Sequence, residues 1–323
     1  MMDRRHLLAL GAASLAAPAL AQGSFPARPV RLVVAFPPGG PTDVVARIVA
    51  ERMGRDLGQP IVVENRGGAN GNIAAEAVAK AEADGHTLLY NTSSIVISRA
   101  LYRTLPYDLL RDLAPVSLTA ASPLVLVVNP ATPPRDAAGF IEWVKANPGK
   151  FSYSSGGIGN ISHLVTFLAL RHVGGDAVHL PYRGTAAALM DTAAGNVQFT
   201  SDTVVTALAV IQDNRVRPIA VSSAERTPLL PEVPTMAEVG LVPAGFDIGA
   251  WQGILAPAKT PPAAVARLNA AVAVALADPG VRAKLAAQGA RPTGGSSADY
   301  AGYIQSEIGL WTRIVRESGA TAE

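Results

Sequence analysis

The chain has 323 residues, enough for about two domains. With 49% hydrophobic and 16% charged residues it can bury a core, which excludes a disordered protein. Its net charge of +2 and 5% aromatic content do not suit a nucleic-acid binder, and the absence of cysteine excludes disulfides and cysteine-ligated metals.

The first 21 residues have the pattern of a secretory signal peptide. Arg4 and Arg5 precede an uncharged apolar run at 7–20, which is too short to cross a bilayer comfortably as a helix. Small residues at Ala19 and Ala21 fit a cleavage site, and an uncleaved membrane anchor is the alternative. The arginine pair also fits a twin-arginine signal, so both export routes stay open. We therefore expect a signal peptide at 1–21 and a periplasmic mature protein without a later membrane span.

Strands and helices alternate at the start of the mature chain. A β-branched apolar run and a capped amphipathic pattern predict a buried strand and then a helix that Gly58 ends. The predicted elements are a strand at 30–36, a helix from about 42 to 57, a strand at 61–64, a helix from about 72 to 83, and a strand at 86–91. This β-α-β-α-β order predicts a parallel sheet with helices on both faces.

The alternation resumes further along, and a proline-rich loop at 227–243 precedes a helical tail. Strands are predicted at 124–128, 151–154, 177–181, 197–200, 217–221 and 246–256, and helices at 136–146, 160–173, 184–194, 203–213, 262–277, 281–287 and 297–317. A strand, a glycine-rich loop and a capped helix occur twice, which predicts two lobes. We expect the tail to return to the first lobe, so that lobe 1 comprises 22–124 plus 250–323 and lobe 2 comprises 125–249.

Three strand-to-helix junctions combine glycine with hydroxyl residues, at 36–43, 154–160 and 181–185. Glycine lets a ligand approach the backbone, and the start of a helix presents unpaired N–H groups. Each junction therefore favours an anion such as a carboxylate. A plain turn capped by Asp43 is the alternative reading of the first junction.

Motifs for catalysis and cofactors are absent from the sequence. There is no G-x-S-x-G elbow and no P-loop, and Ser162 stands where a dinucleotide fingerprint that includes Gly157 and Gly159 would need a third glycine. The histidines lack metal-ligand spacing. We therefore predict no cofactor and no metal. His163 also fits a structural role, and Arg183 fits either a surface charge or a carboxylate clamp.

Ordered motifs along the mature chain resemble those of the Bug/TctC-like extracytoplasmic solute receptors of tripartite tricarboxylate transporters. The similar segments are 36–40 with Thr42, Asp43, Ala46 and Arg47; 63–66; 84–89; 154–164; 181–184; and 231–235 with 238–240, Trp251, Ala256 and Pro257. Two segments depart from the family pattern. They are 185–188, where the family has a second glycine and then Ala-Pro, and 65–71, where it has N-R-P-G-A-G-G.

The resemblance implies an α/β fold of the two-lobed periplasmic-binding-protein type (type II, Venus flytrap) that closes around a small carboxylate. It implies a receptor rather than an enzyme, a monomer, membrane transporter subunits as partners, and no nucleic acid. Carried over from the family, the ligand contacts are Phe36, Gly40, Thr42, Asp43, Asn91, Ser93, Ser155, Gly157, Gly159, His163, Gly184, Thr185, Ala186 and Asp202. The identity of the carboxylate stays open.

Two further functions stay open from the sequence. A receptor of this type could feed a sensor protein instead of a transporter. A periplasmic hydrolase on the same scaffold would need a reacting serine and histidine, for which Ser155 and His163 are the local candidates.

Overall fold

The computed structural model describes residues 25–322, so the signal peptide predicted at 1–21 lies outside the described residues. The strands are β1 Val30–Val34, β2 Ile61–Asn65, β3 Thr87–Thr92, β4 Leu113–Val128, β5 Ser152–Ser155, β6 Val178–Pro181, β7 Phe199–Thr203, β8 Arg217–Val221, β9 Gly249–Pro257 and β10 Arg291–Pro292. The helices are α1 Pro41–Leu57, α2 Asn72–Ala79, α3 Ser94–Leu101, α4 Leu109–Asp112, α5 Ala137–Ala146, α6 Ile161–Val173, α7 Thr185–Ala194, α8 Val204–Gln212, α9 Pro262–Ala277, α10 Pro279–Ala287 and α11 Ser297–Ser318.

The first half of the molecule is built on the predicted β-α-β pattern. Strand β1 lies between β2 and β3 and runs parallel to both. Helix α1 begins at Pro41, whose missing N–H is no loss in the first turn, and Gly58 ends it in the left-handed conformation. Its buried face, which includes Val45, Val49 and Met53, packs into the same apolar cluster as β1.

The second half repeats this arrangement. Strand β5 pairs in parallel with β6 and β7; α6 and α7 connect these strands, and α8 connects β7 to β8. Phe140, Tyr153 and Phe199 fill the core beneath them, with an edge-to-face contact between the two phenylalanine rings. Strands β5, β6 and β7 therefore each lead into a helix.

Two long strands join the halves. Residues 113–123 of β4 pair antiparallel with β9, and residues 124–128 of the same strand pair with β7 and β8. The result is one mixed sheet in the order β2-β1-β3-β9-β4-β7-β5-β6, with β8 and β10 also on β4. The predicted parallel pairing is found among β1–β3 and among β5–β7, whereas β4 and β9 run antiparallel to their neighbours.

Some element bounds differ from the predictions. Strand β4 begins 11 residues before the predicted strand at 124–128. Pro115, Pro123 and the small residues between them, chiefly alanine, serine and threonine, leave no clear hydrophobic pattern there. Helix α3 was not predicted, and α2 ends at Ala79 rather than near 83. Strand β9 begins at Gly249 rather than 246.

The helical tail follows β9 and packs on elements of the first half. Helix α9 lies against α1, where Arg267 donates to Asp56, and α11 lies against α3 and β4. Within residues 25–322 no single helix is long and apolar enough to span a membrane, although the bent pair α9–α10 passes that test by length and composition. The lobe bounds at 124/125 and 249/250 stay a prediction.

Candidate ligand-binding site

A cavity of about 250 Å³ lies between the two halves. Its walls come from the loop after β1, the segment after β3, the crossing part of β4 and β9, and the loops that open α6, α7 and α8. The lining residues are Phe36, Pro41, Thr42, Asn70, Thr92, Ser93, Ser94, Ile97, Ser122, Leu124, Gly159, Asn160, Ile161, Ser162, Thr185, Ala186, Asp202, Thr203, Thr206, Ala250 and Gln252.

Five helices present their first turns or their cap residues to this cavity. They are α1, α3, α6, α7 and α8. Each N-terminus carries unpaired N–H groups and a partial positive charge, so several such ends around one cavity favour an anion. No lysine, arginine or histidine is among the described residues that line it. Main-chain and hydroxyl donors therefore dominate the polar surface.

The cavity brings together half of the predicted contact residues. Those that line it are Phe36, Thr42, Ser93, Gly159, Thr185, Ala186 and Asp202. Those that lie outside its lining are Gly40, Asp43, Asn91, Ser155, Gly157, His163 and Gly184. The role of the second group as ligand contacts stays a prediction, and its members have identifiable structural partners in the loops.

Asp43 stabilises the loop between β1 and α1. It is 3% exposed, and its carboxylate accepts hydrogen bonds from Gly39 N–H at 2.9 Å, from Asn65 Nδ2 at 2.8 Å and from Arg47 Nε at 3.0 Å. Burial raises its pKa, but these donors outweigh burial and hold the pKa below its usual value. Because Asn65 also donates to the Phe36 carbonyl, the pair shapes one wall of the cavity.

Asn91 plays a similar part at the end of β3. Its Oδ1 accepts from Thr92 N–H at 2.7 Å and from Ser94 Oγ at 2.9 Å. Ser93 N–H in turn donates to the Trp251 carbonyl on β9 at 3.0 Å. These bonds fix the serines at the start of α3 against the crossing strands.

Two stacked histidines, His163 buried and His179 half-buried, lie behind the glycine loop of α6. His163 Nδ1 accepts from Gly159 N–H at 3.1 Å, and its ring stacks on His179 with centroids 3.7 Å apart. Burial, aided by His179, lowers the pKa of His163 to about 3, and burial lowers that of His179 to about 4. Both rings are therefore neutral at physiological pH and support the loop from its protein side.

Ser155 does not pair with His163 as the hydrolase hypothesis requires. Its Oγ lies 2.6 Å from Nε2 of His179 and accepts from Gly157 N–H at 3.1 Å. The side chain is fully buried and does not line the cavity. The Ser155–His163 interaction is therefore absent, and the Ser155 hydroxyl is committed to the loop rather than to a substrate.

Thr185 opens α7 directly after Gly184, whose φ of 116° is a conformation that favours glycine. Thr185 and Ala186 both line the cavity. Gly156 lies so close that a Cβ there would be 2.7 Å from Thr185 Cγ2. Arg183 is exposed and outside the lining, in agreement with its reading as a surface charge.

Asp202 is the one ionisable side chain among the described residues that line the cavity. It is 2% exposed, and Oδ1 accepts from Thr203 N–H at 2.7 Å. The nearby Thr185 hydroxyl also lowers its pKa, yet no described donor makes a hydrogen bond to Oδ2. Burial dominates and raises the pKa of Asp202 to about 7.

Sequence reasoning missed the floor of the cavity. Ser122 and Leu124 of β4 and Ala250 and Gln252 of β9 line it from the crossing strands. Gln252 Oε1 accepts from the buried Tyr90 hydroxyl at 3.0 Å. A sequence pattern that identified 113–123 as a strand paired with β9 would have placed these residues between the halves. In the part of the chain that the structure describes, no group of three His, Asp or Glu side chains could hold a metal ion.

A second cavity of about 360 Å³ lies on the opposite side of the crossing strands. Side chains alternate between the faces of a strand, so Ala121 and Pro123 face this cavity while Ser122 and Leu124 face the first. The second cavity includes the ion pair between Asp247 and Arg291, at 2.9 Å. Arg226, which also lines it, pairs with Glu238 outside the lining at 3.1 Å.

Comparison with known proteins shows which family this chain matches. Residues 45–320 match the family described as the tripartite tricarboxylate transporter family receptor. The chain is 38% identical over 326 residues to protein BugT of Bordetella pertussis, with 99% of each chain covered.

Solved structures agree with this match. An R. palustris protein solved with adipate is 37% identical, with a TM-score of 0.81 over 92% of this chain and 99% of that one. MatC from Rhodopseudomonas palustris, solved with bound malate, is 38% identical, with a TM-score of 0.77 over 90% of this chain and 100% of that one. The predicted α/β class of the two-lobed periplasmic-binding-protein type is confirmed by these matches.

Proposed function

This chain belongs to the tripartite tricarboxylate transporter receptor family, and from that membership we propose that it captures a small carboxylate in the cavity between its halves and delivers it to the membrane subunits of a transporter. The family resemblance drawn from the sequence motifs is thus confirmed. Receptors of this family are periplasmic binding proteins. The N-terminal signal pattern indicates the same compartment, the periplasm.

One feature of the cavity supports a small carboxylate as the ligand class. Five helix N-termini surround a cavity that has no basic side chain, so its positive potential comes from main-chain dipoles. Such a site stabilises a carboxylate through several N–H and hydroxyl donors, directly or through water. Adipate and malate, found with two relatives, are both small dicarboxylates and support the same class for this chain.

The contacts in this proposal are the seven predicted residues that line the cavity. Thr42, Ser93 and Thr185 supply donors, and Phe36 and Ala186 supply apolar contact. Gly159 lines the wall with its N–H bound to His163. The residues outside the lining act by fixing the loops. In this proposal lobe 1 comprises 22–124 plus 250–323 and lobe 2 comprises 125–249. The lobes move relative to each other about the crossing of β4 and β9, and the protein works as a monomer.

Isothermal titration of the purified mature protein tests the ligand class. The panel contains malate, adipate, succinate, citrate, aspartate and benzoate. The proposal predicts that at least one carboxylate binds more tightly than about 1 mM, a binding free energy near −4 kcal/mol. No binding to any of the panel would contradict it.

Uptake by whole cells tests the transport role separately. Cells that lack this protein should lose uptake of the tightest-binding carboxylate and regain it when the chain is restored. Unchanged uptake, with binding intact in vitro, would contradict delivery to a transporter while leaving the binding function in place.

A further inference from the structure

The Asp202 carboxyl combines three features that its structural neighbours do not explain. It lines the cavity, it is 2% exposed, and its Oδ2 makes no hydrogen bond within the described residues. The Thr185 hydroxyl lies near enough to lower the pKa of Asp202 but does not offset burial. An ionised carboxylate needs donors on both oxygens when it is removed from water, whereas a carboxylic acid needs an acceptor for its one O–H. Because an unpartnered neutral group costs less to bury than an unpartnered charge, burial favours the protonated form and leaves its O–H free for an acceptor.

No charged group from the neighbouring elements offsets this burial. Strand β7 packs against β4, β5, α6, α7 and α8. The titratable side chains on those elements are Tyr153, His163, Arg171, His172 and Asp191. Burial keeps Tyr153 and His163 neutral, and none of the five contributes to the pKa of Asp202.

The opposite wall is equally free of charge. Thr42, Ser93 and Gln252 face the cavity from the first half, and all three are neutral. The nearest carboxylate of α1, Asp43, lies outside the lining and is bound to Arg47 and Asn65. A dicarboxylate that enters this cavity therefore meets no countercharge, and an ionised Asp202 would repel it.

We propose, resting on the function proposed above, that Asp202 holds a dicarboxylate in its protonated form: Oδ2–H donates to a ligand carboxylate oxygen, and a receptor whose Asp202 is ionised takes up one proton from solvent when it captures the ligand. The ligand stays ionised, and the proton resides on Asp202. An O–H···O⁻ bond in a buried site is among the stronger hydrogen bonds in proteins. Asp202 thereby makes the receptor prefer a ligand that presents a carboxylate, rather than an ammonium, at this position.

The linkage between ligand binding and protonation of Asp202 determines whether affinity rises or falls with pH. A ligand carboxylate beside Asp202 favours its protonated form, so the bound state holds more protons than the free state at any pH near or above the free pKa. With a free pKa of about 7, binding takes up about half a proton at pH 7 and close to one at pH 8.5. The affinity falls by up to about tenfold per pH unit above pH 7.

Calorimetric titration of malate and adipate tests this in two buffers of different ionisation enthalpy, between pH 6.5 and 8.5, where both ligands are fully ionised. The wild type should show proton uptake that increases with pH, and a falling affinity. Asp202→Asn keeps a donor and cannot ionise, so it should bind without proton uptake and with a flat pH profile. Asp213→Asn, at the exposed far end of α8, is the matched control and should behave as the wild type.

The outcomes separate the two proposals. If no carboxylate binds the wild type at any pH, the proposed function fails. If malate or adipate binds with no buffer dependence and a flat pH profile, the function stands and the proton-linked role of Asp202 is overturned. If affinity rises with pH, or if amino acids alone bind and Asp202→Asn abolishes that binding, Asp202 acts as an ionised acceptor, which also overturns it. The wild-type buffer comparison decides the matter even if the variant fails to fold.

Discussion

Two buried carboxyls near helix N-termini show how local partners set the state of a side chain. Asp43 accepts from Gly39, Asn65 and Arg47, and its pKa lies below its usual value. Asp202 has one main-chain donor and an unpartnered oxygen, and burial raises its pKa to about 7. The sequence motifs predict both as ligand contacts, and the Asn65 donor that sets Asp43 apart comes from another segment of the chain.

Asp202→Asn should change the pH dependence of stability in the ligand-free protein. The folded pKa of about 7 exceeds the unfolded value of 3.8, so the stability that Asp202 contributes is present below about pH 4 and is lost as pH rises through 7. Urea unfolding should show the variant more stable than the wild type by up to about 4 kcal/mol at pH 8, and no such gain at pH 4. The same difference at both pH values would contradict burial as the cause.

Thr185→Ala should weaken carboxylate binding about tenfold without changing the melting temperature. The side chain lines the cavity at the start of α7, and loss of one hydrogen bond to a charged ligand costs about 1.5 kcal/mol. Thr185→Ser keeps the hydroxyl and should bind within about threefold of the wild type. Equal affinities for all three proteins would remove this hydroxyl from the site.

At the scale of elements, the strand-loop-helix units could be predicted and the crossing strands could not. Hydrophobic runs, glycine loops and caps identified β1, α1, β5, α6 and α7, since each leaves a local pattern. Before residue 124, strand β4 is mostly alanine, serine, threonine and proline without a regular apolar alternation, so its pairing with β9 has no local signal. The candidate site was therefore predicted at its loops and missed at its floor.

Gly156→Ala should weaken ligand binding by moving one loop against another. A Cβ at this position would be 2.7 Å from Thr185 Cγ2 and 3.2 Å from Thr185 N, so the start of α7 must shift. The affinity should fall by about tenfold or more, since the donors at α7 lose their alignment.

Gly302→Ala is the matched control, since a Cβ on this exposed face of α11 meets nothing within 4 Å. It should keep full affinity and raise the free energy of unfolding by about 0.5–1 kcal/mol. An unchanged affinity for Gly156→Ala would show that the loop accommodates the methyl group without moving the site.

For the whole molecule, the crossing of β4 and β9 is the connection that both halves share. Pro123 pairs with Gly249 there, and a Cβ at Gly249 would be 2.9 Å from the Ser122 carbonyl oxygen, so only glycine allows this approach. The C-terminal helix α11 is hydrogen-bonded to β9 near this crossing. Glu307 Oε2 accepts from Trp251 Nε1 at 2.8 Å and from Trp311 Nε1 at 2.9 Å.

Glu307→Leu should destabilise the whole fold by about 2–5 kcal/mol, because two buried indole N–H groups lose their acceptor. Burial raises the pKa of Glu307, so the neutral Glu307→Gln, which keeps an acceptor, should lose about 1 kcal/mol or less. Denaturant unfolding followed by tryptophan fluorescence gives both values. Equal losses for the two variants would show that packing, not the shared acceptor, fastens α11 to β9.

The central claim is that neutral donors and a protonated carboxyl hold an anion between the halves. A crystal structure of the protein with malate or adipate tests it most directly. We predict that the ligand carboxylates lie among the N–H groups at the starts of the surrounding helices, with one of them within hydrogen-bonding distance of Asp202 Oδ2. A ligand seated instead in the cavity behind the crossing strands, or with its carboxylates on lysine or arginine side chains, would contradict it.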